Sequence, residues 1–132
     1  MMTDDGVRAL ARSGMTIGGH TVTHPILASV PADEAFEQIR QNRADLTSIL
    51  GQAPTLFAFP NGKPGRDYTD EHAAMVRQIG YSAAFAVGGT VAWSTADRFQ
   101  IPRISSHARS PAHLAGRMLY HAAWWRRPHG AA

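Results

Sequence analysis

Apolar positions along this chain follow two rhythms, one of helical and one of strand type. Between Pro31 and Leu50, "PADEAFEQIRQNRADLTSIL", the residues Phe36, Ile39, Leu46, Ile49 and Leu50 line one face. Pro31 and a run of acids precede that face and Gly51 follows it, which predicts the strongest helix of the chain. "DDGVRALARSG", opened by Thr3, Asp4 and Asp5 and stopped at Gly14, reads as a short capped helix. "TDEHAAMVRQIG", with Thr69 or Asp70 as cap and Gly80 as stop, is another. A last helix, "SPAHLAGRMLYHAAWW", starts at Ser110 and Pro111.

Short apolar runs bounded by turn residues alternate with these helices. "MTIGGH", "TLFAFP" (Thr55 to Pro60), "YSAAFAV" and "FQIPRIS" are predicted strands. "NGKPGRDYT" and "GGTVAWSTADR" are loops dense in turn residues. Strand and helix alternate throughout, so the expected class is α/β, with parallel strands and outer helices. No internal repeat or low-complexity tract interrupts the order.

Composition narrows the picture. With 132 residues, 44% of them hydrophobic, the chain has room for a single domain, 1–132, and enough apolar side chains to bury a core. It has no cysteine, so disulfides and thiolate metal sites are excluded, and any metal must be held by His, Asp or Glu. Net charge is +3, and the basic residues are arginines apart from Lys63. Six arginines (Arg98, Arg103, Arg109, Arg117, Arg126, Arg127) against one acid follow Ala96. No nucleic-acid motif accompanies them, so a solvated helix face and a basic flexible tail over about 126–132 are expected rather than a nucleic-acid surface. The opening residues carry no apolar stretch of signal-peptide length, and nowhere do eighteen apolar residues run together, so no membrane segment is expected in this chain.

The candidate chemistry lies in "GGHTVTHP". His20 and His24 stand four residues apart, a spacing that on a helix would place both rings on one face. Gly18, Gly19 and Pro25 instead point to a strand ending at His20 and a tight turn that returns His24 to the same side. Loops at the C-terminal ends of parallel strands are where α/β proteins keep their sites. Two neutral imidazoles there would share a divalent ion and leave positions open for water and substrate. The plainer reading is one histidine in a turn and one on the surface.

The segment "GMTIGGHTVTHPIL" resembles the second motif, H-[ST]-x-x-H, of the polysaccharide deacetylase family, the NodB-homology domain of carbohydrate esterase family 4. "FAFPNGKPGRDY" is similar to the F-A-[YF]-P-x-G form of that family's third motif. The flanking "DDGVRALARSG" and "FEQIRQNRADLTSILG" look like the neighbouring helices, and the likeness continues through "MVRQIGYSAAFAV" to "FQIPRI". It spans Asp4 to about Ile104 and implies a partial, distorted (β/α) barrel.

The resemblance implies metal-dependent hydrolysis of N-acetyl or O-acetyl groups on a carbohydrate or polysaccharide. His20 and His24 match the metal ligands, with zinc the expected divalent ion, and Thr21 matches the hydroxyl residue between them. Thr21, Pro60 and Asn61 would line the substrate side, the Asn61 backbone N–H serving as an oxyanion donor. Ala58 stands where many relatives carry an arginine. His107 in "IPRISSH" is the candidate acid for the leaving amine. His72, His113 and His121 read as surface or packing residues, and Trp124 and Trp125 as cover for core or partner.

The family's first motif, T-F-D-D-G, which supplies the third ligand and the base, belongs before the first residue of this chain. "TDDG" at Thr3 to Gly6 is not a substitute, because no strand precedes it and a helix and a strand must fit before His20; helix capping accounts for Asp4 and Asp5. Two ligands from one turn lead to an expected affinity of about micromolar or weaker. A barrel without its opening strands leaves sheet edges exposed, which a homodimer, a partner chain or a truncated coding sequence would explain. The competing expectation is a catalytically inactive relative that binds glycan or protein.

Overall fold

The computed structural model describes residues 2–88, 97–103 and 110–124. Helix α1 covers Asp4–Arg12, α2 Ala32–Leu50, α3 Asp70–Ile79 and α4 Pro111–Trp124. Strands β1 (Leu56–Ala58), β2 (Ala83–Val87) and β3 (Ile101–Arg103) form a parallel sheet in the order β1-β2-β3. The crossover from β1 to β2 passes through α3, as parallel pairing requires.

Local chemistry accounts for the helix ends. Thr3 caps α1 by accepting the Gly6 N–H on its hydroxyl at 3.3 Å, and Asp4 and Asp5 occupy the first turn, where acids suit the helix dipole. Asp5 pairs with Arg8, so "TDDG" is a helix start in the structure as in the sequence reading. Helices α2 and α3 close on Gly51 and Gly80 with left-handed caps.

The expected strand "MTIGGH" is reduced to one parallel bridge, Gly19 to Phe57. Gly19 donates to Leu56 O at 2.8 Å and Ala58 donates to Gly19 O at 2.9 Å. Pairing stops there because the chain turns into left-handed geometry at Thr21. Gly19 is required at this point, since a Cβ would stand 2.2 Å from the Tyr81 hydroxyl. Among the described residues the sheet is open, with Gly19 beyond β1 on one edge and β3 on the other.

One face of the sheet is dry. Phe57 of β1 and Ala84 and Ala86 of β2 are buried with Ala35 and Ile39 of α2 and Ala73, Met75 and Val76 of α3. The alternate residues of β2, Ala83, Phe85 and Val87, are half-buried on the opposite face. Phe59 stacks flat on Tyr68 at 3.8 Å, tying the end of β1 to the loop that leads into α3. No described helix is long and apolar enough to cross a membrane.

Candidate active site

The site is assembled at the C-terminal rim of the sheet by two adjacent chain segments. Because Gly19 and Phe57 are in parallel register, His20 and Ala58 emerge side by side. His20 Nδ1 lies 2.7 Å from the Ala58 carbonyl oxygen. A carbonyl only accepts, so Nδ1 carries the proton and Nε2 keeps a lone pair.

The turn from Thr21 to His24 then brings the second imidazole back. Thr21 and His24 both have positive φ, 64° and 60°, an uncommon geometry for a β-branched residue in particular. Thr21 is buried, and its hydroxyl accepts the His24 N–H at 3.1 Å. The result is a His20–His24 ring-centroid distance of 4.8 Å with the planes at 69°. The two rings lie edge to face beside each other at the surface, still partly open to solvent.

Helix α2 supplies the other anchors. Asn42 Oδ1 accepts the His20 N–H at 2.9 Å, and Gln38 Oε1 accepts both Val22 N–H at 3.1 Å and Thr23 N–H at 3.0 Å. Sequence reading missed these two side chains. Their signal is slight: two amides four apart on α2, flanking the buried Ile39 on the site side of the helix.

Partial burial pushes the His20 ring below its ordinary 6.5; its bond to Ala58 opposes that shift, while the charges of His24 and Arg103 add to it. Arg103, at the end of β3, is held by donating to Ala86 O at 3.2 Å. The His20 ring is therefore neutral near pH 7, the form that binds a metal.

The turn after β1 holds the remaining sequence candidates. Pro60 is fully buried, and Asn61 is exposed in left-handed geometry with φ 54°. Gly62 O accepts from Val87 N at 2.7 Å, fixing the turn to the end of β2. Farther along, buried Asp67 takes the Lys63 N–H on Oδ2 at 2.9 Å and braces the loop. His107 lies outside the described residues, as do Trp125 and the basic tail. His72 is buried at the start of α3 as part of its cap.

The donor chemistry fits a divalent ion of zinc type at two positions. His20 offers Nε2 from a ring whose other nitrogen is fixed on a carbonyl, an arrangement common for metal-bound histidines, and the His24 ring lies beside it. Among the described residues no third His, Asp or Glu joins them. Two imidazoles would supply fewer protein donors than the three usual in a catalytic zinc site.

Comparison with known proteins places the chain in a family. Residues 2–84, more than half of the chain, match the family described as Polysaccharide deacetylase. The peptidoglycan-N-acetylglucosamine deacetylase of Bacillus cereus is 39% identical over 57 residues, which are 43% of this chain and 21% of that protein. Among solved structures, a Streptococcus pyogenes deacetylase in complex with acetate superposes with TM-score 0.77 at 22% identity, covering 89% of this chain and 50% of that one. A polysaccharide deacetylase from Bacillus cereus gives TM-score 0.71 at 15% identity over 89% of this chain and 36% of that one. The chain spans half or less of the length of each of these relatives. It belongs to the polysaccharide deacetylase family.

Proposed function

We propose that this chain carries part of the active site of a carbohydrate deacetylase, hydrolysing N-acetyl or O-acetyl groups on a polysaccharide such as an N-acetylglucosamine polymer. The observation that carries the reading is the convergence of two imidazoles 4.8 Å apart, one of them fixed by Ala58 with Nε2 left as a donor. The extent of the family match and the deacetylase activity named for the Bacillus cereus relative support it.

His20 and His24 would hold the divalent ion. When bound, such an ion supplies Lewis-acid chemistry, making water more acidic and an acetyl carbonyl more electrophilic. The chain's own part is to keep His20 neutral and oriented, and to hold the turn at Asn61 on the same rim, where its backbone N–H is the candidate donor to a developing oxyanion. In the overall reaction a water oxygen adds to the acetyl carbon, the C–N bond breaks, and the leaving amine takes a proton. His107 is the candidate to deliver that proton. Acetate and a free amino sugar are the products; an O-acetyl group gives acetate and an alcohol by the same addition.

The absence of a third ligand among the described residues favours one other reading, a relative that binds glycan without cleaving it. Acetate release from an N-acetylchitooligosaccharide by the full chain with added Zn2+ separates the two. The proposal expects release that a chelator abolishes and that His20→Ala loses. Glycan binding with no release establishes the non-catalytic reading, and release indifferent to chelator and to His20→Ala overturns the assigned site.

A further inference from the structure

Four amides of the five-residue turn donate to side-chain oxygens: His20 to Asn42, Val22 and Thr23 to Gln38, and His24 to Thr21. Two residues of the turn, Thr21 and His24, are held at positive φ. Backbone in that region is unfavourable for residues other than glycine and persists only where its surroundings over-determine it. Thr21 belongs to the turn itself, so its bond closes the loop on itself without relating it to the rest of the fold. Gln38 and Asn42 differ in that both project from α2, whose Ala35 and Ile39 are buried in the core.

From this geometry we infer that Gln38 is a positioning residue for the histidine pair. Its single carboxamide oxygen takes two consecutive N–H groups midway between His20 and His24, and so holds the turn at the tightness that makes the rings converge. Asn42, one helical turn farther on, fixes where the turn begins. The bonds that Gln38 and Asn42 make to this turn go to its backbone amides, so each acts through the backbone. The inference rests on the reading of His20 and His24 as a shared ligand pair and names what sets their spacing.

The Val22 and Thr23 amides lie at the surface. Losing Gln38 would hand them to water, so fold stability changes little while the turn loosens. That asymmetry separates positioning from a merely structural role. Gln38→Met keeps length and helix propensity and removes the acceptor; Gln38→Glu keeps an acceptor oxygen.

The test is Zn2+ binding to the full chain by calorimetry, with amide exchange at Val22 and Thr23 followed by NMR. Gln38→Met is expected to bind Zn2+ roughly ten- to a hundredfold more weakly, the range for partners that orient metal ligands. It should lose exchange protection at Val22 and Thr23 and unfold at an unchanged denaturant midpoint. Gln38→Glu should restore both affinity and protection. Wild-type affinity in Gln38→Met overturns the inference. A wild-type chain that binds no Zn2+ defeats the ligand-pair reading instead, and exchange then decides: unchanged protection at Val22 and Thr23 in Gln38→Met overturns the positioning role too.

Discussion

The Nδ1 atom of His20 sits 2.7 Å from the carbonyl oxygen of Ala58, so the end of one extended segment is oriented by the backbone of its neighbour. The same bond selects the tautomer. Long-range 1H–15N spectra of the metal-free chain should therefore show His20 protonated on Nδ1 when neutral. Its titration midpoint should fall below 6.5, because burial, which favours the uncharged ring, outweighs the opposing pull of Ala58. An Nε2–H tautomer, or a midpoint above 6.5, contradicts this geometry.

Removing either imidazole should remove metal binding without unfolding the protein. Both residues lie at the surface and neither belongs to the core, so His20→Ala and His24→Ala should keep the wild-type unfolding free energy within about 0.5 kcal/mol. A site left with one protein ligand holds zinc poorly. Equilibrium dialysis against Zn2+ checks the outcome, and a single variant that retains wild-type stoichiometry would show that the two rings do not share an ion.

Gly19 and Tyr81 are coupled by lack of space. A Cβ on residue 19 would stand 2.2 Å from the Tyr81 hydroxyl and 2.9 Å from Asn42 Oδ1, the oxygen that accepts the His20 N–H. Gly19→Ala should cost about 1–3 kcal/mol, the usual range for overpacking, and should also disturb the histidine turn. Among the described residues the buried Tyr81 hydroxyl finds no hydrogen-bond partner, so Tyr81→Phe should be close to neutral or stabilising. The double variant should recover part of the Gly19→Ala loss, because the ring carbon Cζ, 2.8 Å from that Cβ, stays in place. Chemical denaturation of the four chains gives the coupling, and strict additivity would refute the contact.

What could be read in advance follows a physical division. Helices announced themselves through periodicity and through Gly51 and Gly80, because caps and apolar stripes are local. Gly18, Gly19 and Pro25 likewise marked a turn around the histidines rather than a helix. The supports of that turn were not legible. Gln38 and Asn42 stand 16 and 22 residues from the amides they accept, and an amide side chain on a helix carries no sign of its partner. Ala58 is still less visible, since its contribution is a backbone carbonyl that any residue would offer. The strand expected at "MTIGGH" shrank to a bridge for a related reason: its apolar run gives strand character, while pairing depends on a neighbour that sequence does not name.

His72 makes stability depend on pH. Of the two roles read from the sequence, surface or packing, the structure shows packing: His72 is 6% exposed and serves α3 as an acceptor. Its Nδ1 takes the Thr69 N–H at 3.0 Å and lies 2.8 Å from the Thr69 hydroxyl, while the ring also bonds the Leu27 backbone. Both contacts suit the neutral ring, with the proton on Nε2. Burial holds its pKa below the ordinary 6.5 against the opposing charge of Glu71 and the Leu27 bond. The unfolded chain therefore binds more protons below pH 6.5 than the native one, and stability falls as pH drops from there through the lower native value. His20 shifts in the same direction, so removing His72 should flatten the dependence without abolishing it. His72→Gln keeps an acceptor for Thr69 and a donor for Leu27 and cannot titrate. Denaturant midpoints measured between neutral pH and pH 5 should fall less steeply for His72→Gln than for wild type, and equal slopes would mean that the buried ring is already accommodated in its charged form.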